Sequence, residues 1–177
     1  MSAPSKHKIL LTGLPGCGKT TLIKTVVELL KQPVNGFFTN EIKQHGRRVG
    51  FEVKSFSQPV RQGVLAHIDI RSKYRVGQYG VDIETFESIV LPEIQLGLQV
   101  KNLLVIDEIG KMELFSSRFK DMLLTIFDSP TPLLATISYK PQPFCDRLKS
   151  YSDVDLIVVD KSNRENLAEK IVSNLSA

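Results

Sequence analysis

Apolar and polar positions along the chain fall into short blocks, and the period of each block differs from the next. Lys8-Ile9-Leu10-Leu11-Thr12 is an apolar run suited to a buried strand, and Lys19 to Lys31 carries Leu22, Val26, Leu29 and Leu30 at helical spacing. Gln32-Pro33 stops that helix, Asn35-Gly36 signals a turn, and Phe37 to Lys43 is expected to extend as a strand. Gln44-His45-Gly46 is a hairpin turn with Arg47 and Arg48 beside it, because Val49, Phe51 and Val53 then alternate with Gly50, Glu52 and Lys54. Val64 to Ile70 is another extended segment. The basic, Gly-containing stretch 71–80 reads either as a solvated connector or as a flap bringing Arg71 or Arg75 to a ligand.

In the second half, Asp82 is placed to cap a helix bearing Phe86, Ile89 and Val90, with Pro92 bending or restarting it before Leu96. Leu103-Leu104-Val105-Ile106 is a wholly apolar strand that ends in two acids, Asp107 and Glu108. Ser116 is placed to cap a helix whose Phe119, Met122, Leu123, Ile126 and Phe127 form one apolar face, and Leu133 to Ile137 is a buried strand. Tyr139-Lys140-Pro141-Gln142-Pro143 leaves its end as a stiff loop, which puts Lys140 within reach of a ligand. Leu156 to Val159 is the last strand, and Ser162-Asn163-Arg164-Glu165 is a capping-box pattern opening a helix with Leu167, Ile171 and Leu175 on one face. Strands alternating with helices imply an α/β fold with a central, mostly parallel sheet flanked by helices. Residues 36–80 are richer in strand and are expected to extend that sheet in antiparallel fashion. One domain over 1–177 is expected, with 1–7 as a flexible tail.

The junction between the first strand and the first helix carries the chemistry. Gly13-Leu14-Pro15-Gly16-Cys17-Gly18-Lys19-Thr20 fits G-x-x-x-x-G-K-[ST] at every fixed position. Its glycines let backbone N–H groups turn inward around phosphate oxygens, Lys19 reaches the β and γ phosphates, and Thr20 offers its hydroxyl to Mg²⁺. Strand, loop and helix stand in the order such a P-loop requires. Thr21 continues the motif, and Cys17 reads as filler at a variable position rather than as a nucleophile.

Composition changes this picture little. Hydrophobic content of 42% and charged content of 24% are those of an ordinary globular chain, and a formal charge of +4 permits an anionic partner without demanding nucleic acid. The two cysteines cannot build a disulfide framework, and no apolar run is long enough to span a bilayer. A cytoplasmic monomer that binds nucleoside triphosphates, with no membrane partner, is the expectation.

Asp107 and Glu108 follow the P-loop by two or more βα units, so a parallel sheet brings both motifs to one edge. Asp107 is expected to hold Mg²⁺ through its water shell with Thr20, leaving Glu108 to orient and deprotonate water. A competing reading takes Asp107-Glu108-Ile109-Gly110 as the D-x-x-G turn of GTP switches, with the Gly110 amide sensing the γ-phosphate. No N-K-x-D motif supports it, since Asp160-Lys161-Ser162-Asn163 has the wrong order and spacing. Lys111 is placed to neutralise developing phosphate charge.

With these residues together, the chain resembles the cancer-related nucleoside-triphosphatases, a small family of P-loop enzymes. Besides the P-loop and Thr21, the resemblance rests on Gly36-Phe37-Phe38-Thr39, Gly46-Arg47-Arg48-Val49-Gly50-Phe51, Arg75-Val76-Gly77-Gln78-Tyr79, Val81-Asp82 and Asp107-Glu108-Ile109-Gly110-Lys111-Met112-Glu113-Leu114. It implies slow, Mg²⁺-dependent hydrolysis of ATP, GTP and other nucleoside triphosphates to diphosphate and phosphate. It also implies a P-loop NTPase domain close in build to small nucleotide kinases. The chain departs from the family at Asn40, where Glu is usual, and at Tyr139-Lys140-Pro141-Gln142, where relatives often read Pro-x-Pro-Lys-Gly. Two other functions share these residues: a small-molecule kinase whose acceptor is held by arginines of 71–80, and a nucleotide-dependent switch that binds RNA or protein.

Overall fold

In the computed structural model, residues 7–176 are described; the flexible tail expected over 1–7 lies, apart from His7, outside them. The first half runs β1 (Lys8–Thr12), α1 (Lys19–Leu30), β2 (Val34–Gln44), β3 (Arg47–Ser55), β4 (Gln62–His67), β5 (Arg75–Val76) and β6 (Tyr79–Val81). The second half runs α2 (Ile83–Val100), β7 (Leu103–Ile109), a 3-10 turn (Glu113–Phe115), α3 (Ser117–Phe127), β8 (Leu133–Ile137), α4 (Pro143–Lys149), β9 (Val154–Val158) and α5 (Arg164–Leu175).

All strands share one nine-stranded sheet in the order β5-β6-β4-β3-β2-β7-β8-β1-β9. From β2 to β9 every neighbouring pair is parallel, and from β2 outward to β5 every pair is antiparallel. The expected architecture is therefore present, with one shift of boundary: β2 is itself parallel to β7, so the antiparallel part begins at β3.

Strand alternation sorts the apolar side chains onto two faces. Leu10, Phe37, Leu104 and Ile106 pack with Phe86 of α2 and Phe119 of α3 on one side. Ile9, Leu11, Leu103 and Val105 pack with Ile23 of α1 and Ile171 of α5 on the other. Phe37, Phe86 and Phe119 meet edge to face with centroids 5.2–5.8 Å apart, which fixes α2 and α3 against β2. Lys8, fully buried, is neutralised by Asp153 at 2.9 Å and donates to the Ser129 carbonyl.

Four expectations are corrected. Asn35-Gly36 is no turn but part of β2: Gly36 holds φ 121°, and a Cβ there would lie 2.0 Å from the Val105 carbonyl oxygen, so the glycine serves close strand approach. The segment expected over Val64–Ile70 stops at His67, because Ile68 and Asp69 turn back, with the Ile70 N–H bonded to the His67 carbonyl. Helix α2 continues through Pro92, held by burial of Val90, Leu91 and Ile94 despite a missing backbone bond. The Ser162–Glu165 capping box does not form; Asp160 instead accepts from the N–H groups of Ser162 and Asn163. The caps at Asp82 and Ser116 are present, accepting from the N–H groups of Thr85 and Phe119.

Gly36→Ala is expected to lower stability by about 3 kcal/mol, from a strained φ and a clash with backbone. A denaturation midpoint equal to the parent's would show that the two strands can part at no cost.

Candidate functional site

The loop between β1 and α1 opens toward solvent at the carboxyl edge of the parallel strands, where ligands of such sheets sit. Gly16 and Gly18 hold φ of 77° and 102°, values costly for other residues, and a Cβ on Gly13 would lie 2.3 Å from the Val159 carbonyl oxygen. Gly18 caps α1 without a side-chain bond, so the first N–H groups of that helix have no side-chain acceptor. Lys19 folds back over the loop, donating from Nζ to the carbonyls of Gly13 (2.9 Å) and Leu14 (3.2 Å). Cys17 is buried, with Sγ 3.8 Å from that ammonium. Leu14 is exposed.

Opposite the loop, β7 delivers Asp107. The sheet order β7-β8-β1 leaves only β8 between β7 and the strand that leads into the loop, so residues 87 positions apart meet: Thr20 Oγ1 donates to Asp107 Oδ2 at 2.7 Å. Thr136 of β8 donates to Oδ1 at 2.6 Å. Asp107 is only 2% exposed; burial pushes its pKa up, and the two hydroxyls and Lys19 oppose that. A buried carboxylate beside a hydroxyl offers the few hard oxygen donors that Mg²⁺ takes from protein when waters and phosphate complete its shell. Among the described residues no cluster of three or more His, Cys, Asp or Glu forms an alternative metal site.

Glu108 points into the cavity that the loop lines. Burial pushes its pKa up, the neighbouring Asp107 charge adds to this, and Lys19 opposes it. That cavity, about 480 Å³, is also lined by Gly18, Lys19, Thr20, Thr21 and Arg164. Arg164 belongs to α5, yet its guanidinium Nη1 lies 3.0 Å from where a Gly18 Cβ would stand. Nothing in its local sequence marks it; only the packing of α5 beside α1 brings it there.

Gly110 and Lys111 are placed differently from the P-loop residues. Gly110 lies beneath the acids: a Cβ on it would meet Glu108 Oε1 at 2.8 Å and Glu113 Oε2 at 3.0 Å. Lys111 lines a second cavity of about 430 Å³ that shares Lys19 and Glu108 with the first and is also bordered by Lys140. Arg71 and Arg75 line neither; Arg75 is tied to its own hairpin through the carbonyls of Ile70 and Gln78. Asp160 and Lys161 border a third cavity on the outer side of the loop, beside Gly16 and Cys17. Asn40 stands opposite Glu52 in the β2–β3 pair, donates to it at 3.1 Å and accepts from Lys24 at 3.0 Å. A glutamate at this position would set two like charges face to face.

Glu113, quoted in the family motif but given no role by the sequence, lies against the acids of β7. Its carboxyl is buried under Gly110, and burial together with the Glu108 charge raises its pKa to about 8. Since that value lies above the ordinary 4.5, the neutral form favours the fold: its contribution is complete below about 4.5 and is lost as pH rises through about 8. Glu113→Gln should therefore flatten the decline of melting temperature between these pH values, and an unchanged decline would place its cause elsewhere.

Among the described residues no helix is long and apolar enough to cross a membrane. The family model described as NTPase matches residues 8–172. The chain is 42% identical over 168 residues to nucleoside-triphosphatase THEP1 of Thermotoga sp. (strain RQ2), with 95% of each chain covered. It is 39% identical to the human cancer-related nucleoside-triphosphatase, covering 93% of this chain and 94% of that one. The crystal structure of THEP1 from Aquifex aeolicus superposes with a TM-score of 0.87 at 34% identity, covering 96% and 99%. A P-loop facing an acidic strand end, the shared fold and these likenesses lead to one conclusion: the chain belongs to the NTPase family.

Proposed function

We propose that this chain is a Mg²⁺-dependent nucleoside-triphosphatase that hydrolyses ATP, GTP and other nucleoside triphosphates to the diphosphate and phosphate. The observation that carries the reading is the Thr20–Asp107 hydrogen bond, which locks the P-loop to the acidic end of β7 with Glu108 next in line on the cavity wall. The names of the relatives support the reaction class.

In this reading the loop from Gly13 to Thr20, through the N–H groups that it has (Pro15 has none), together with Thr21 and Lys19 holds the triphosphate, Lys19 trading the Gly13 and Leu14 carbonyls for phosphate oxygens. Thr20 and Asp107 would hold Mg²⁺, which when bound neutralises charge on the phosphate oxygens. Glu108 accepts the proton of the attacking water, its raised pKa making it a stronger base than an exposed carboxylate. Neutral Glu113 supports it from below without adding a competing charge. Arg164 presents a planar cation at the mouth of the loop, on which any base can stack, and this suits broad base tolerance.

Every group invoked lies on one chain, at the edge of the sheet or on the loop and helices packed against it, so the reading needs no second subunit, membrane or nucleic acid, and it treats the chain as a single domain. Both cysteines are free, which suits action in the reducing cytoplasm.

Glu108→Gln is expected to slow phosphate release by roughly 10²- to 10³-fold while a fluorescent ATP analogue still binds within a few-fold of the parent. Release from ATP as fast as in the parent protein would remove Glu108 as the base.

A further inference from the structure

One cation close to the P-loop has no part in the proposed hydrolysis. Lys24 follows Thr20 by four residues on α1, so the two side chains share one face of the helix, a turn apart. Its Nζ donates to Asn40 Oδ1 at 3.0 Å and stands 4.7 Å from the centroid of the Phe38 ring. Lys24 and Asn40 are both half-buried, and Asn40 belongs to the wall of the first cavity together with Lys19, Thr20 and Glu108.

The polar groups around Lys24 do not cancel its charge. Asn40 is neutral and donates its Nδ2 to Glu52 at 3.1 Å. Glu52 in turn pairs with Lys54 at 2.9 Å. Lys24 itself forms no ion pair among the described residues, and Glu28, one turn further along α1, makes none with it. Two ammonium groups thus share a single carboxylate, which leaves one positive charge over at this wall of the cavity.

That charge reaches the acidic end of β7. Burial pushes the Asp107 pKa up, and the hydroxyls of Thr136 and Thr20 oppose it, followed by the charges of Lys19 and Lys24. Tied to Asn40 and seated on the Phe38 ring, the Lys24 ammonium acts there through space rather than as a direct ligand. In the proposed reading the γ-phosphate is the group beside Asp107 and Glu108, so it is the part of a nucleotide on which this field falls most strongly. A diphosphate lacks that group and carries one charge fewer. The loop N–H groups serve substrate and product alike, so telling them apart needs a charge placed at the γ end.

We infer that Lys24, left unneutralised by its partner Asn40, is a specificity residue of this site whose charge favours a nucleoside triphosphate over the diphosphate that hydrolysis leaves. The inference rests on the proposed triphosphatase reading of the P-loop. Asn40 has a defined share in it: its amide fixes the ammonium in place, whereas a carboxylate at the same position would hold it equally well and remove the surplus charge.

The test measures equilibrium binding of fluorescent ATP and ADP analogues to the full chain in excess chelator, where no metal masks the phosphate charge. The quantity read is the ratio of the ADP to the ATP dissociation constant. Lys24→Gln, which removes the charge and keeps an amide donor, is expected to lower that ratio roughly fivefold, the scale of one unit charge acting across partly hydrated protein. Asn40→Asp, which sets a carboxylate against the ammonium, should lower it in the same direction with Lys24 intact. Lys24→Arg, which keeps a cation over the Phe38 ring, should stay within about twofold of the parent. A ratio unchanged in either Lys24→Gln or Asn40→Asp would overturn the assignment. Equal weakening of ATP and ADP would also overturn it, as would a loss in Lys24→Arg as large as in Lys24→Gln. Binding of neither nucleotide by the parent protein, with or without Mg²⁺, would instead overturn the triphosphatase reading itself.

Discussion

A carboxylate taken out of water must be compensated, and Asp107 is compensated by two hydroxyls that arrive from opposite directions in the chain. Thr20 comes from the start of α1 and Thr136 from β8, and both reach the end of β7 within 2.7 Å. Leaving that carboxylate without its donors would cost several kcal/mol. The bonds therefore tie loop, helix and two strands into one unit before any ligand arrives. The rest of the arrangement follows from it. Lys19 sits next to Thr20 and Glu108 next to Asp107, so fixing one pair sets the other pair across the same cavity.

The sheet divides the labour. Its parallel half, from β2 to β9, brings to one edge the groups proposed to bind and polarise a triphosphate, and its two faces are covered by α2, α3 and α4 over one apolar cluster and by α1 and α5 over the other. Its antiparallel half contributes none of those groups except through β3, whose Phe51 and Arg48 form a wall beside Glu108. Beneath the acids, Gly110 leaves room for the carboxyls of Glu108 and Glu113 to approach one point. Two carboxyls so close in a dry setting cannot both carry charge easily: both pKa values are raised, that of the more deeply buried Glu113 to about 8.

The parts of this arrangement that were legible in the amino-acid sequence are those whose chemistry is local. The P-loop is a run of adjacent residues with a required spacing, and Asp107-Glu108 closes a strand whose apolar character is plain. The hairpin at His45-Gly46 was legible for the same reason, since its turn residues lie together. Arg164, Arg48 and Glu113 were not, because their place depends on which helices and strands become neighbours. Asn35-Gly36 looked like a turn by residue type, whereas its glycine answers to the Val105 carbonyl of another strand. Pro92 looked like a break, and packing of the residues around it keeps the helix whole.

The central claim, that the P-loop hydroxyl and the β7 carboxylate act as one metal-dependent unit, is tested most directly by a double-mutant cycle read as the Mg²⁺ requirement of phosphate release. Thr20→Ala and Asp107→Asn should each raise the Mg²⁺ concentration for half-maximal release by about tenfold or more. The double variant should be no worse than the more severe single one, because the two groups share one site. Release that persists in excess chelator, or two effects that simply add, would contradict the account.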